Sequence, residues 1–186
     1  MNSARRFPIL PLLVGALLGF IGGYFAAGGG RPAAPAPAAP AAGAPGAEAG
    51  AGRLEEIRAS VEKDPENPKL LTSLGNAYYD REDWDRAIDA YEKARRKAPD
   101  DPNLLSDLGA AYRNRGEFKR AVALFERARE RDKEHWQSLL NLVLIHAYDL
   151  HDPAGAQRWF DELKRRYPEI PDLDRIQERI SSLRAS

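Results

Sequence analysis

The chain has 186 residues with 28 acidic and 28 basic side chains, so its formal net charge is zero, and it contains no cysteine. The charge balance excludes the basic excess that nucleic-acid binding requires. The missing thiols exclude disulfides, cysteine nucleophiles and cysteine-ligated zinc. Most of the glycine and proline lies before Arg53, which separates an N-terminal part from a part with helical patterning.

Residues 1–6 carry Arg5 and Arg6, and no charged residue follows from Phe7 to Ala27. A run of about 20 apolar residues is what a bilayer-spanning helix needs. It exceeds the roughly 7–15 apolar residues of a cleavable signal peptide. This favours an uncleaved membrane anchor over residues 7–28, while the small residues Ala26, Ala27 and Gly28 keep a cleaved, soluble periplasmic form as the alternative. The arginines precede the run, so the positive-inside rule puts residues 1–6 in the cytoplasm and the rest across the membrane. The expectation is a single-pass protein of a bacterial inner membrane with a periplasmic C-terminal domain. Gly15, Gly19 and Gly23 are spaced by four. Such spacing offers a close-packing face for a homodimer.

Residues 29–52 are nearly all Ala, Pro and Gly, with Pro32, Pro35, Pro37, Pro40 and Pro45 recurring. No side chain there can offset the entropy of ordering, so the segment is predicted as a disordered linker.

From Arg53 the apolar residues recur at helical spacing. Leu54, Ile57 and Val61 form a stripe over residues 53–64 that ends at Pro65. Leu71, Leu74, Gly75 and Tyr78 form the stripe of a helix, and Ala87, Tyr91 and Ala94 that of a second one after a polar turn. Shifted by 34 residues, the pattern returns as Leu105, Leu108, Gly109 and Tyr112, then Ala121, Phe125 and Ala128. Asn67-Pro68 and Asp101-Pro102 read as helix starts, with the polar residue as cap and proline at the first helical position. Gly75 and Ala87 let two backbones approach. Glu82 stands where Gly116 does at the turn, and a left-handed conformation would strain it.

This pattern resembles the tetratricopeptide repeat, whose period is 34 residues. The resemblance covers about residues 53–168 and implies an all-α solenoid of about three hairpins. Its repeats are 68–101, 102–135 and 136–170, within a domain over residues 53–186. Capping helices are predicted at 53–64 and 172–184, the latter from the one-sided stripe Leu173, Ile176, Ile180 and Leu183. The third repeat departs from the pattern. Val143 replaces the glycine, His146 replaces the tyrosine, and one extra residue is needed near His151. That combination predicts a longer first helix and a wider hairpin.

No catalytic constellation is present, no cofactor motif appears, and no enzymatic activity is expected. His146 and His151 lie near Asp149 and Asp152 but are five apart, which suits no helical ligand pair. The resemblance instead implies non-covalent binding of a protein or peptide in a concave groove lined by the first helices. On the repeat register its wall comprises Asn76, Tyr79, Ala110, Arg113, Asn114, Leu140, Leu144 and Tyr148. The clamp by which some members grip chaperone C-terminal carboxylates is matched only at Asn76. Thr72, Asp107, Gln137 and Asn141 depart from it, so a chaperone co-factor of that type is not expected. The layout of anchor, linker and repeats is similar to that of adaptors and scaffolds in envelope assembly, secretion and c-type cytochrome biogenesis.

Overall fold

The computed structural model describes residues 45–185, with side chains from Gly52 onward. The apolar run 7–28, its glycine face and the linker before Pro45 lie outside the described residues. Among the described residues, eight α-helices and one π turn make up the regular structure, and no strand occurs. They are α1 Pro45–Lys63, α2 Pro68–Tyr79, α3 Trp84–Lys97, α4 Pro102–Asn114, α5 Phe118–Arg131, α6 Trp136–Leu144, the π turn Ile145–Asp149, α7 Pro153–Arg166 and α8 Leu173–Ala185.

Helix starts are set by polar caps and prolines. Asn67 Oδ1 accepts from the N–H groups of Lys69 and Leu70 at 3.0 and 3.4 Å, and Asp101 Oδ1 accepts from Asn103 and Leu104 at 2.9 and 3.2 Å. Asp152 does the same for Ala154 and Gly155 at 3.1 and 3.0 Å. In each case a proline follows, where its missing N–H is no loss. α1 differs from the sequence expectation, beginning at Pro45 rather than Arg53. Ala47, Glu48, Ala49 and Ala51 are strong helix formers, and Pro45 occupies the first helical position. They outweigh Gly46, Gly50 and Gly52, so this part of the predicted linker is helical.

Helices α2/α3, α4/α5 and α6/α7 pair into three successive hairpins, each stacked on the next. Tyr91, Phe125 and Phe160 are fully buried, one per hairpin, and form the spine of the core. Close approach opposite the rings explains the glycines: a Cβ at Gly75 would lie 2.4 Å from the Tyr91 ring. The turns behave alike. Glu82 (φ 59°) and Gly116 (φ 85°) both adopt the left-handed conformation, which glycine tolerates and glutamate does not favour.

The third hairpin absorbs its extra residue in the π turn. In the first two hairpins a peptide N–H five residues on returns to the tyrosine carbonyl, Asp83 to Tyr78 at 3.0 Å and Glu117 to Tyr112 at 2.8 Å. In the third it comes from six residues on, Asp152 to His146 at 2.8 Å. His151 then takes a positive φ of 51°. The stack ends on α8, whose Leu173, Ile176 and Ile180 are buried while Asp174, Arg175 and Glu178 stay exposed. A last helix with one apolar face closes a solenoid in this way.

Candidate peptide-binding face

α2 touches α4 and α4 touches α6, whereas the second helices α3, α5 and α7 touch one another less. The first helices therefore run along the inner side of the stack. The residues they present there carry the candidate site.

At the first junction, Tyr79 Oη accepts from Asn114 Nδ2 at 2.8 Å, joining α2 to α4. The Tyr79 ring meets the Trp84 ring edge-on at 5.0 Å. Burial pushes the Tyr79 hydroxyl pKa up, opposed by the Asn114 hydrogen bond and the charge of Arg113. Asn76 is exposed, and its Oδ1 accepts from Tyr91 Oη at 2.7 Å. Thirty-four residues on, Phe125 lacks that hydroxyl and Ala110 lacks the amide, so the polar pair becomes an apolar one. Ala110 is half-buried on the same face.

Other residues placed on this face by the repeat register lie elsewhere. Arg113 is 6% exposed, and its Nε donates to Asp149 Oδ2 at 2.5 Å. Burial raises the Asp149 pKa, and the guanidinium beside it opposes that rise. Leu140 and Leu144 are 3% and 7% exposed and belong to the core. Tyr148 is half-buried, with the Arg179 guanidinium of α8 5.5 Å from its ring centre. The π turn explains the displacement of Tyr148. Its extra residue moves Asp149, instead of Tyr148, into the place that Asn114 holds one hairpin earlier. Tyr79–Asn114 and Arg113–Asp149 thus fill equivalent slots at successive junctions.

His146 Nδ1 lies 2.9 Å from Asp152 Oδ2, so the imidazole braces the cap of α7. His151 is exposed, and among the described residues no group of three His, Cys, Asp or Glu side chains could hold a metal ion. One polar residue, His135, escaped the sequence reading, and Asp107 figures there only as a departure from the chaperone clamp. His135 is buried and caps α6, with Nδ1 accepting from Ser138 N at 3.3 Å and Nε2 3.2 Å from Asn103 Oδ1. Burial pushes its pKa down and so favours the neutral ring that can accept this bond. Asp107 lies on the stripe Asn103, Asp107, Ala110 and Asn114 of α4, a spacing of four, three and four that puts all four on one helix face.

Two models of the tetratricopeptide repeat match the sequence, over residues 47–102 and 78–143, together more than half the chain. No curated protein matches it. Among solved structures, a tetratricopeptide repeat protein from Parabacteroides merdae is similar with a TM-score of 0.67 and 19% identity, covering 75% of this chain and 56% of that one. The first such domain of Spaghetti (RPAP3), bound to the HSP90 peptide SRMEEVD, has a TM-score of 0.60 and 21% identity, covering 64% of this chain and 97% of that one. The TPR2B domain of yeast Sti1 in a pHsp70 complex gives 0.55 and 21%, covering 70% of this chain and 97% of that one. With a 34-residue hairpin period, glycines under buried rings and matching family models, the chain belongs to the tetratricopeptide repeat family.

Proposed function

We propose that this chain is a protein-interaction module that binds an extended peptide segment of a partner along the inner face of α2, α4 and α6. The observation that carries the reading is the cluster of Asn76, Tyr79 and Asn114 at the first junction. An exposed amide, a phenol ring and a second amide sit side by side there. Amides offer donors and acceptors to a peptide backbone, and tyrosine adds flat apolar area with a polar edge. The peptide-bound solved structures named above lend support by analogy of fold alone. Arg113 is assigned to the scaffold, because its charge is engaged by Asp149.

In the same proposal the apolar run 7–28 anchors the chain in a bacterial inner membrane and the repeats face the periplasm. There they act as an adaptor or scaffold in envelope assembly, secretion or cytochrome c biogenesis. Arg5 and Arg6 before the uncharged run support this orientation. Release of a soluble form by cleavage near Ala27 is the second reading, favoured by the small residues there. Alkaline carbonate extraction decides between them, since only an anchored chain stays with the membranes.

The binding face is tested by cross-linking the detergent-solubilised full chain to its partner. Asn76→Ala with Asn114→Ala should weaken capture at least about tenfold, roughly 1.4 kcal/mol. The exposed pair Lys93→Ala with Lys119→Ala on the second helices should leave capture unchanged. The reverse pattern would move the partner to the outer face.

A further inference from the structure

Two arginines at the C-terminal end of α4 are already paired. Arg113 is turned into the ion pair with Asp149. Arg115 is taken by Asp85 and Glu117. The carboxylates at the first junction are not matched in this way. Asp107 is partly buried on the stripe that faces the first hairpin, and no hydrogen bond or ion pair reaches it among the described residues. It lies seven residues before Asn114 on the same face of α4, and Asn114 bonds the Tyr79 hydroxyl. Asp101, the cap of the same helix, adds a charge of the same sign to its surroundings.

Three other partly buried carboxylates are compensated. Asp149 has Arg113, Glu162 has Arg129 and Arg166, and Glu92 has Arg95 and the Tyr112 hydroxyl. A carboxylate withdrawn from water without a cation or donor is costly. Nothing in the hairpin architecture requires one at this position, since neighbouring Ala110 on the same stripe is apolar. The group is therefore placed for something that arrives from outside.

We propose that Asp107 anchors a lysine or arginine side chain of the bound peptide, with Tyr79 beside it to accept the cation against its ring. The proposal rests on the peptide-binding reading of the inner face and gives that partner a chemical class, a basic extended segment. An ammonium or guanidinium supplies the missing counter-charge, and an aromatic face within about 6 Å adds cation–π attraction. Asn76 and Asn114, on either side, remain available to the peptide backbone. Burial and the charge of Asp101 push the Asp107 carboxyl up to about 7, and a cation beside it would bring that value down.

The test uses the full chain in detergent and a displayed library of random internal decapeptides, which carry no free amino terminus. The wild-type chain should select peptides with lysine or arginine fixed at one position. Asp107→Asn should still select peptides but lose the preference at that position. In anisotropy titrations of one selected peptide, replacing its fixed lysine by norleucine should weaken binding to the wild type at least about tenfold and to Asp107→Asn hardly at all. Selection without a basic position, or an equal loss against both proteins, overturns the proposal while leaving peptide binding intact. Binding insensitive to Asn76→Ala with Asn114→Ala, or no selected peptide at all, overturns the inner-face reading itself and this proposal with it.

Discussion

The ring of Phe125 lies on the backbone of Gly109, so close that a Cβ there would sit 2.7 Å from Phe125 Cε1. Phe125 is completely buried and cannot swing aside. Gly109→Ala should therefore destabilise the fold by about 1–3 kcal/mol through overpacking. Gly52, with nothing within 4 Å of its would-be Cβ, is the opposite case within α1. Gly52→Ala should stabilise by up to about 1 kcal/mol through reduced backbone entropy. Urea titrations of both variants check the contrast, and a shift of the same sign in the two would refute it.

Arg113→Ala is predicted to damage the fold before it affects any ligand. Removing the guanidinium leaves the Asp149 carboxylate half-buried without its partner, which costs about 3–5 kcal/mol for a well-buried pair. Arg113→Met combined with Asp149→Leu should recover most of that loss, since neither charge remains. Thermal melts of the single and double variants give the comparison. A single variant as stable as wild type would return Arg113 to the list of ligand contacts.

Glu82→Gly should stabilise the first hairpin. Glu82 holds a φ of 59° and is exposed, and the equivalent Gly116 holds 85°. A left-handed non-glycine residue costs roughly 1–2 kcal/mol, part of which glycine gives back through a more flexible unfolded chain. The net gain should be up to about 1 kcal/mol. A loss of stability would mean that the glutamate side chain holds the turn.

Asp107 should make stability depend on pH. Its folded pKa is raised to about 7 from an ordinary 3.8. Between those values the folded chain keeps a proton that the unfolded chain releases, so stability falls as pH rises from about 4 to 7. His135, whose pKa is lowered, works in the opposite direction below its ordinary 6.5. Asp107→Asn isolates the first effect. It should raise the melting temperature more at pH 8 than at pH 5. An equal gain at both values would show that the carboxyl ionises freely in the folded state.

The hairpins could be read from the sequence because their core contacts are local and periodic. Gly75 and Gly109 precede Tyr91 and Phe125 by the same interval, and the exchange of Asn76–Tyr91 for Ala110–Phe125 keeps each pair matched. The third hairpin was legible as an insertion but not as a π turn. Register counting places Arg113 and Tyr148 on the binding wall. The turn brings Asp149 to Arg113 and leaves Tyr148 beside α8, and that rearrangement depends on contacts 36 residues apart. Leu140 and Leu144 precede the π turn and are misplaced for another reason: the repeat position gives a direction around the helix, not what covers it. The early start of α1 was hidden by prolines, whose number argued for disorder while local alanines favoured helix.

The equivalent slots at the two junctions also fix the order in which the hairpins can stand. Hairpins with a common backbone design would be interchangeable if only apolar faces met. Deleting residues 102–135 would join α3 to α6 and set Asp149 against Tyr79 instead of Arg113. A phenol would then face a carboxylate that had lost its cation. The neutral pair belongs to the first seam and the charged pair to the second, so a chain that recombined its repeats out of sequence would carry a mismatch at the seam. The array is in this sense addressed: each hairpin identifies its neighbour by one polar side chain.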